Sequence, residues 1–330
     1  MSAMSFSPRD VTPAGTMLTL CTQFLQHLQS IGRSPNTLSS YKVDLEQFAG
    51  FAASRDIRLV MHIHAQLVED WIQALVLGEG MKHRTAARKL ETLRGFVRYL
   101  KRRNLLPFDP TEGIDVKFEQ TRVIAPPEQT LLKVIESIPT DGAINIRDRA
   151  LLRLMFDGAV RIGGLLSLDI YDEQVPAQYC VTPAGIVIYR AKGGKTRDAV
   201  VDDTTLEYLQ RWLDVRGRMV NHKLSTNHQN ALCLSTRGTR MTRGALHDRI
   251  KQHGRRVGVD LNAHLFRHRR LGDIYEKTGD ARLSADQGGH ANVNTFIQTY
   301  GHQSGEVRRQ RIRRDAPLGA YNEMSSGEAA

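Results

Sequence analysis

The chain has 330 residues and a formal net charge of +11, from 46 Lys and Arg against 35 Asp and Glu. That length exceeds one ordinary domain of about 150 residues, and the charge gives the folded surface a positive field that draws in polyanions, nucleic acid first. Scattered and odd in number, Cys21, Cys180 and Cys233 exclude a disulfide framework or cysteine zinc site, and no apolar run reaches the ~18 residues that span a bilayer.

Residues 1–16 have no apolar period and read as a lead-in; lacking a basic start and an apolar run, they also argue against a signal peptide. A soluble, unprocessed protein of the reducing cytoplasm is expected, with no membrane partner. From Met17, the residues Leu18, Cys21, Phe24, Leu25 and Leu28 recur at helical spacing, and Gly32 closes the helix. Ser34-Pro35 opens a second helix with Ser as N-cap and Pro at the first helical position, and its stripe is Leu38, Tyr41, Leu45, Phe48 and Phe51. A third helix is predicted over Leu67 to Leu77. A fourth, from about His83 to Arg103, buries Leu90, Leu93, Val97 and Leu100 while displaying Arg84, Arg88, Lys89, Arg94, Arg98, Lys101, Arg102 and Arg103. With few acids to offset them, these cations suit contact with a phosphate backbone.

Phe108 to Pro127 is Pro-interrupted and aperiodic, so the sequence divides near residue 120. The expected organisation is a lead-in at 1–16, a helical domain at 17–117, a linker at 118–127, a second domain at 128–320 and a tail at 321–330. The second domain should contain helices at Glu128–Ser137 and Ile146–Phe156, short β runs at Ile186–Tyr189 and Ala199–Val201, and further helices from Leu206–Arg216 through Arg243–Val257 and beyond. The fold class is therefore mainly α with a small antiparallel β-sheet.

Two motifs fail on a residue that their mechanism requires. Gly194-Lys195-Thr196 imitates the end of a phosphate-binding loop, but Tyr189 stands at the first glycine and a strand follows. His264 and His268 are spaced like zinc ligands, but Leu265 takes the place of the general-base glutamate. No metal, nucleotide or organic cofactor is called for. The same segment does place His264 and Arg267 on one helix face, an imidazole and a planar guanidinium that could share an anion.

His264-x-x-Arg267-His268, then Gly289-His290, then Tyr300-Gly301-His302 resembles the C-terminal boxes of the tyrosine recombinase, or phage integrase, family. Upstream and in order, Arg161-Ile162-Gly163-Gly164-Leu165-Leu166-x-Leu168 is similar to its first arginine box, and Ala191-Lys192-Gly193-Gly194-Lys195-Thr196-Arg197 to its lysine hairpin. Ser34-Pro35-Asn36-Thr37-Leu38-x-x-Tyr41-x-x-Asp44-Leu45 and Leu93-Arg94-x-Phe96-x-Arg98-Tyr99-Leu100 resemble its core-binding helices. The likeness covers roughly residues 18–305.

The resemblance implies a SAM-like core-binding domain and a mixed catalytic domain of the DNA breaking-rejoining type, closed as a C-shaped clamp. It implies cleavage and rejoining of double-stranded DNA at inverted-repeat sites, a dimer on each site and a tetramer in synapsis, with strands exchanged through Holliday junctions. Other recombinase subunits or accessory proteins are further implied partners, and the bacterial nucleoid the implied location. Arg161, Lys192, His264, Arg267, His290 and Tyr300 would be catalytic. Lys192 would protonate the departing 5′-oxygen, and His290 would donate to the phosphate or support its neighbours. Thr37, Tyr41, Lys42, Arg84, Arg88, Lys89, Lys195, Arg197 and Arg243 would touch DNA, and the arginine-rich segment from Glu306 to Arg314 would dock on a neighbouring subunit.

The chemistry accounts for these residue types. Phosphoryl transfer builds negative charge on the non-bridging oxygens, and without a metal fixed cations must meet it, so Arg161 and Arg267 are natural clamps. A Tyr300 nucleophile would conserve the energy of the broken linkage as a phosphotyrosyl bond, which removes the need for ATP. Its phenol, with an ordinary pKa of about 10, would need those cations and His264 to lose its proton.

Four residues depart from the family pattern. Gly164 stands where a carboxylate is usual, Arg269 and Arg270 where smaller or apolar residues are more common, and Gly288 where an apolar residue precedes Gly-His. Two other readings stay open: a DNA-binding relative without the chemistry, which Gly164 favours, and a type IB topoisomerase-like enzyme, which would lack the paired-helix N-terminal pattern.

Overall fold

The computed structural model describes residues 16–119, 124–174, 177–191, 195–290 and 292–300, together with Arg309 and Arg313. The chain divides into two compact units, 1–122 and 123–330.

In the first unit, α1 (Met17–Ser30), α2 (Pro35–Ala53), α3 (Ala65–Gln73) and α4 (His83–Arg102) surround one apolar core. The hydroxyl of Ser34 accepts from the Thr37 backbone N–H at 3.3 Å with Pro35 at the first helical position, so α2 starts where its cap places it. Phe24 packs on the rings of Phe96 and Tyr99 at centroid distances of 5.6 and 5.2 Å, and Phe48 meets Trp71 edge-on at 5.0 Å. Each such buried aromatic contributes on the order of 1.5–3 kcal/mol. The third helix stops earlier than its apolar pattern predicts: a π turn over Ala74–Gly78 follows Gln73, keeping Leu75 buried and leaving Leu77 exposed.

A polar node lies inside this core. Asp44 is 1% exposed and accepts hydrogen bonds from Arg88, from Lys89 at 2.9 Å and from Thr92 at 2.9 Å. Burial alone would push its carboxyl upward, but these donors outweigh burial and hold it below the ordinary carboxylate range. The node ties α2 to α4 more specifically than apolar contact could.

The second unit contains α5 (Glu128–Glu136), α6 (Ala143–Asp157), α7 (Ile162–Leu165), β1 (Cys180–Val181), β2 (Ile186–Arg190), β3 (Thr196–Val200), α8 (Asp203–Arg216), α9 (Thr226–Gln229), α10 (Arg243–Arg256), α11 (Ala263–Thr278), α12 (Ala281–Gln287) and α13 (Val293–Tyr300). The sheet is antiparallel in the order β1-β2-β3, with Tyr189 opposite Arg197. Alternation along β2 turns Val187 and Tyr189 inward. A left-handed Gly142, φ 72°, starts α6 three residues before the apolar period predicts. β1 is only two residues long, too short to carry a period that a sequence pattern could reveal. The core gathers Leu151, Leu154 and Met155 of α6 around Trp212 of α8, whose indole N–H donates to the Leu232 carbonyl at 3.0 Å.

The same unit buries a charge cluster. Asp148 is fully buried and accepts from Arg147 at 2.6 Å, from Arg249 at 2.6 Å and from His253 at 2.9 Å, linking α6 to α10. Burial would raise the Asp148 carboxyl, but the His253 hydrogen bond and the two guanidiniums bring it below its usual range. Among the described residues no helix is long and apolar enough to cross a membrane.

Candidate active site

Asn262 caps α11, its side chain accepting from the backbone N–H groups of His264 at 2.9 Å and Leu265 at 3.3 Å. That cap fixes the first turn, which carries His264, and thereby the register of Arg267 on the next. Arg267 is 2% exposed. Its Nη1 donates to the Ala159 carbonyl at 2.6 Å, and its Nη2 donates to the Gly288 carbonyl and lies 3.1 Å from His290 Nε2. Arg161, at the N-terminus of α7, donates to the same Gly288 carbonyl at 3.4 Å. Two arginines remote in sequence therefore converge on one backbone oxygen, with His290 beside them.

The turn after α12 makes this possible. Gly289 has φ 58°, and the chain reverses so that its own N–H reaches the Asp286 carbonyl and the His290 N–H reaches that of Ala285, both at 2.8 Å. Burial and the cations around it then set the charge of the pocket. Burial, then Arg267 and Arg161, hold the His264 imidazole below its ordinary value, and burial, Arg267, Arg161 and His264 bring His290 down to about 4. Both histidines are neutral near pH 7, so the fixed positive charge comes from the guanidiniums.

Phe296 of α13 is fully buried against Ala159, Leu271 and Ala285, 5.7 Å from the Tyr275 ring and 5.8 Å from that of His290. It anchors α13 on the wall of the pocket, and Tyr300 is the last residue of that helix. Lys192 lies outside the described residues, as does the segment from Glu306 to Arg314 except Arg309 and Arg313. The β2–β3 connection that carries Lys192 is closed by the Ala191 N–H on the Lys195 carbonyl at 2.8 Å. Lys195 is exposed and Arg197 half-buried. Arg243, exposed at the start of α10, places Nη2 3.3 Å from where a Cβ on Gly163 would sit, so it flanks the arginine box.

In the helical unit Lys42 and Arg84 are exposed, while Thr37 and Tyr41 are half-buried at the start of α2. Arg88 is exposed along much of its length but grips Asp44. Lys89 needs correction as a surface contact: it is 6% exposed with its ammonium on Asp44, because the helical face it occupies is turned into the core.

Each departure from the family pattern has a local cause. A Cβ on Gly164 would lie 2.6 Å from the Tyr189 ring and 2.9 Å from Val160. A Cβ on Gly288 would lie 2.7 Å from Leu271, 2.9 Å from Arg267 Nη2 and 2.9 Å from His290 Nδ1. Arg269 pairs with Asp273 and Glu276, and Arg270 donates to Asp157 at 2.6 Å. Sequence reasoning missed Tyr189, Ala159 and the Asp148 cluster. For Tyr189 a signal existed, since strand alternation puts it on the inward face with Val187. Among the described residues no group of His, Cys, Asp and Glu is placed to hold a metal ion.

Residues 127–306 match the phage integrase family, and residues 21–104 match the phage integrase N-terminal SAM-like domain. The chain belongs to the phage integrase family. Among relatives of this integrase, a tyrosine recombinase XerC of Pseudomonas fluorescens strain Pf-5 is 31% identical over 84% of this chain and 90% of its own. A tyrosine recombinase XerD of Staphylococcus haemolyticus is 26% identical over 89% of this chain and 97% of its own. Of solved structures, XerH recombinase bound to its difH substrate superposes with a TM-score of 0.67 at 18% identity, over 92% of this chain and 95% of that one. The Tn1549 transposon integrase with transposon right-end DNA gives 0.68 at 14%, over 90% and 99%. The mainly helical fold with a small antiparallel sheet, and a SAM-like domain followed by a mixed one, is that of tyrosine recombinases. This integrase is accordingly an enzyme, a site-specific DNA recombinase.

Proposed function

We propose that the pocket formed by Arg161, His264, Arg267 and His290 holds the scissile phosphate of a DNA duplex and that Tyr300 attacks it. The phenolic oxygen bonds to phosphorus, the bond from phosphorus to the 5′-oxygen breaks, and that oxygen takes a proton from Lys192. The products are a 3′-phosphotyrosyl enzyme and a free 5′-hydroxyl. Rejoining reverses the step: a 5′-hydroxyl attacks the phosphorus and the phenol leaves, so no ATP is consumed. Arg161 and Arg267 meet the charge that grows on the non-bridging oxygens, and neutral His264 is free to accept the phenolic proton.

The observation that supports this reading above all is the convergence of Arg161 and Arg267 on the Gly288 carbonyl, with His290 3.1 Å from Arg267. The Gly288 carbonyl holds both guanidinium groups and the His290 imidazole holds that of Arg267 before any substrate arrives, the preorganisation that phosphoryl transfer needs. Exposed Lys42, Arg84, Arg88, Lys195 and Arg243, with half-buried Thr37, Tyr41 and Arg197, position the duplex through its backbone. The proposed substrate is a pair of inverted-repeat sites, each held by a dimer, with a tetramer in synapsis, and the proposed compartment is the bacterial cytoplasm.

A nicked suicide DNA substrate tests the reading. Wild-type protein forms a covalent adduct that survives denaturation, and Tyr300→Phe forms none. Absence of the adduct from wild-type protein on its cognate site, or its persistence in Tyr300→Phe, overturns the assignment.

A further inference from the structure

Tyr189 belongs to none of the motifs that carry the chemistry, yet it touches two of them. Its side chain is fully buried in the second unit. One edge of its ring lies against Gly164, in the short helix that Arg161 opens, so closely that a Cβ there would come within 2.6 Å of Cδ2. Its hydroxyl lies at the other motif, 2.8 Å from where a Cβ on Gly289 would sit, next to His290. That hydroxyl has no hydrogen-bond partner among the described residues, although it is buried. A buried phenol oxygen without a partner costs about 1–3 kcal/mol, so a side chain with packing as its only task would be better as Phe. Both glycines are needed for the approach: Gly164 makes room for the ring, and Gly289, with φ 58°, makes room for the oxygen.

We propose that Tyr189 is a positioning residue of the phosphate pocket, its ring bracing the arginine box and its hydroxyl bracing the Gly288–Gly289–His290 turn. The inference rests on the phosphoryl-transfer reading of that pocket and deepens it. Tyr189 acts through its neighbours. The ring sets the height of α7 and hence of Arg161, and the hydroxyl presses on the one turn that supplies both the shared carbonyl and His290. Arg197, opposite Tyr189 in the sheet, backs the same turn, its Cγ lying 3.4 Å from the Cβ position on Gly289.

Four variants separate the roles of oxygen, ring and space: Tyr189→Phe, Tyr189→Val, Gly164→Ala, and Tyr189→Val combined with Gly164→Ala. Tyr189→Phe is expected to slow adduct formation on suicide DNA on the order of tenfold while leaving the affinity for uncut DNA nearly unchanged. It should also let the His290 imidazole, followed by NMR, titrate closer to its ordinary value as burial and the guanidiniums around it relax, while the urea midpoint stays at or above that of wild type, which separates lost positioning from lost packing. Gly164→Ala alone should lose more activity than Tyr189→Phe, and the double variant should recover part of that loss because the added methyl then has room. Wild-type cleavage and wild-type His290 titration in Tyr189→Phe would overturn the proposal. If wild-type protein itself forms no adduct, the phosphoryl-transfer reading falls. The His290 titration still decides whether Tyr189 braces the turn.

Discussion

The carbonyl oxygen of Ala159 accepts the Nη1 hydrogen of Arg267 at 2.6 Å, and Ala159 presents it by adopting a left-handed backbone with φ 48°. A residue with a Cβ bears a strain of roughly 1 kcal/mol there. Ala159→Gly should therefore fold and form the adduct as well as wild type, with stability within about 1 kcal/mol. Ala159→Val, β-branched and fully buried, should lose more than about 2 kcal/mol and cleave more slowly. Urea denaturation and adduct formation on suicide DNA check both outcomes.

Arg267→Lys removes the planar fork that serves Ala159, Gly288 and His290 together. One ammonium cannot reach all three, so adduct formation should fall by at least about 100-fold. Binding to uncut DNA, measured by gel shift, should weaken far less. Equal losses in both assays would remove Arg267 from the chemical step.

The two pocket histidines predict a pH dependence of stability. Their folded pKa values lie below the ordinary 6.5, with that of His290 near 4. Above the ordinary value neither folded nor unfolded chain binds a proton at these rings. As pH falls below it the unfolded chain takes up protons that the folded pocket refuses, so stability drops until the folded His290 titrates. Asp44 and Asp148 shift in the carboxylate range, so their loss begins at lower pH. Urea midpoints from about pH 7 to about pH 4.5 should decline, and His290→Gln should flatten that decline.

Gly288→Ala should disable the enzyme by crowding, since the new methyl meets Leu271, Arg267 and His290. Shortening Leu271 removes the nearest obstacle. Gly288→Ala with Leu271→Ala should therefore regain adduct formation over the single variant, although Leu271→Ala alone costs about 2–5 kcal/mol. No recovery would mean that Arg267 and His290, not Leu271, set the limit at this position.

Asp44→Asn leaves the Lys89 ammonium buried with a weaker acceptor. The expected loss is about 3–5 kcal/mol, confined to the helical unit. Thermal melting of the variant should show that unit unfolding first. A wild-type melting profile would place the anchorage of α4 in apolar packing instead.

Helix periods and caps carried most of the fold in readable form. Ser34-Pro35 marked the start of α2, and Leu90, Leu93, Val97 and Leu100 named the buried face of α4, because amphipathic spacing is local and burial follows it. The site was legible as residue types: His264 and Arg267 share a helix, so their proximity is encoded by spacing. That Arg161 meets them at the Gly288 carbonyl is a long-range fact to which no local pattern points. Lys89 shows the limit most clearly. Its charge points to the surface by every local rule, and only the pairing of α2 with α4 reveals Asp44 waiting inside. Gly164 is the opposite case: the side chain missing from α7 leaves space that the Tyr189 ring fills from β2.

The three cysteines have a practical consequence for studying this recombinase in motion. All are buried, and burial pushes the thiols of Cys21 and Cys233 up to about 12 and that of Cys180 upward as well. At neutral pH none offers a thiolate to an alkylating dye. A single cysteine introduced at an exposed position outside the proposed DNA contacts, such as Glu69 or Thr204, would thus take a fluorophore selectively, with every native sulfur left in place.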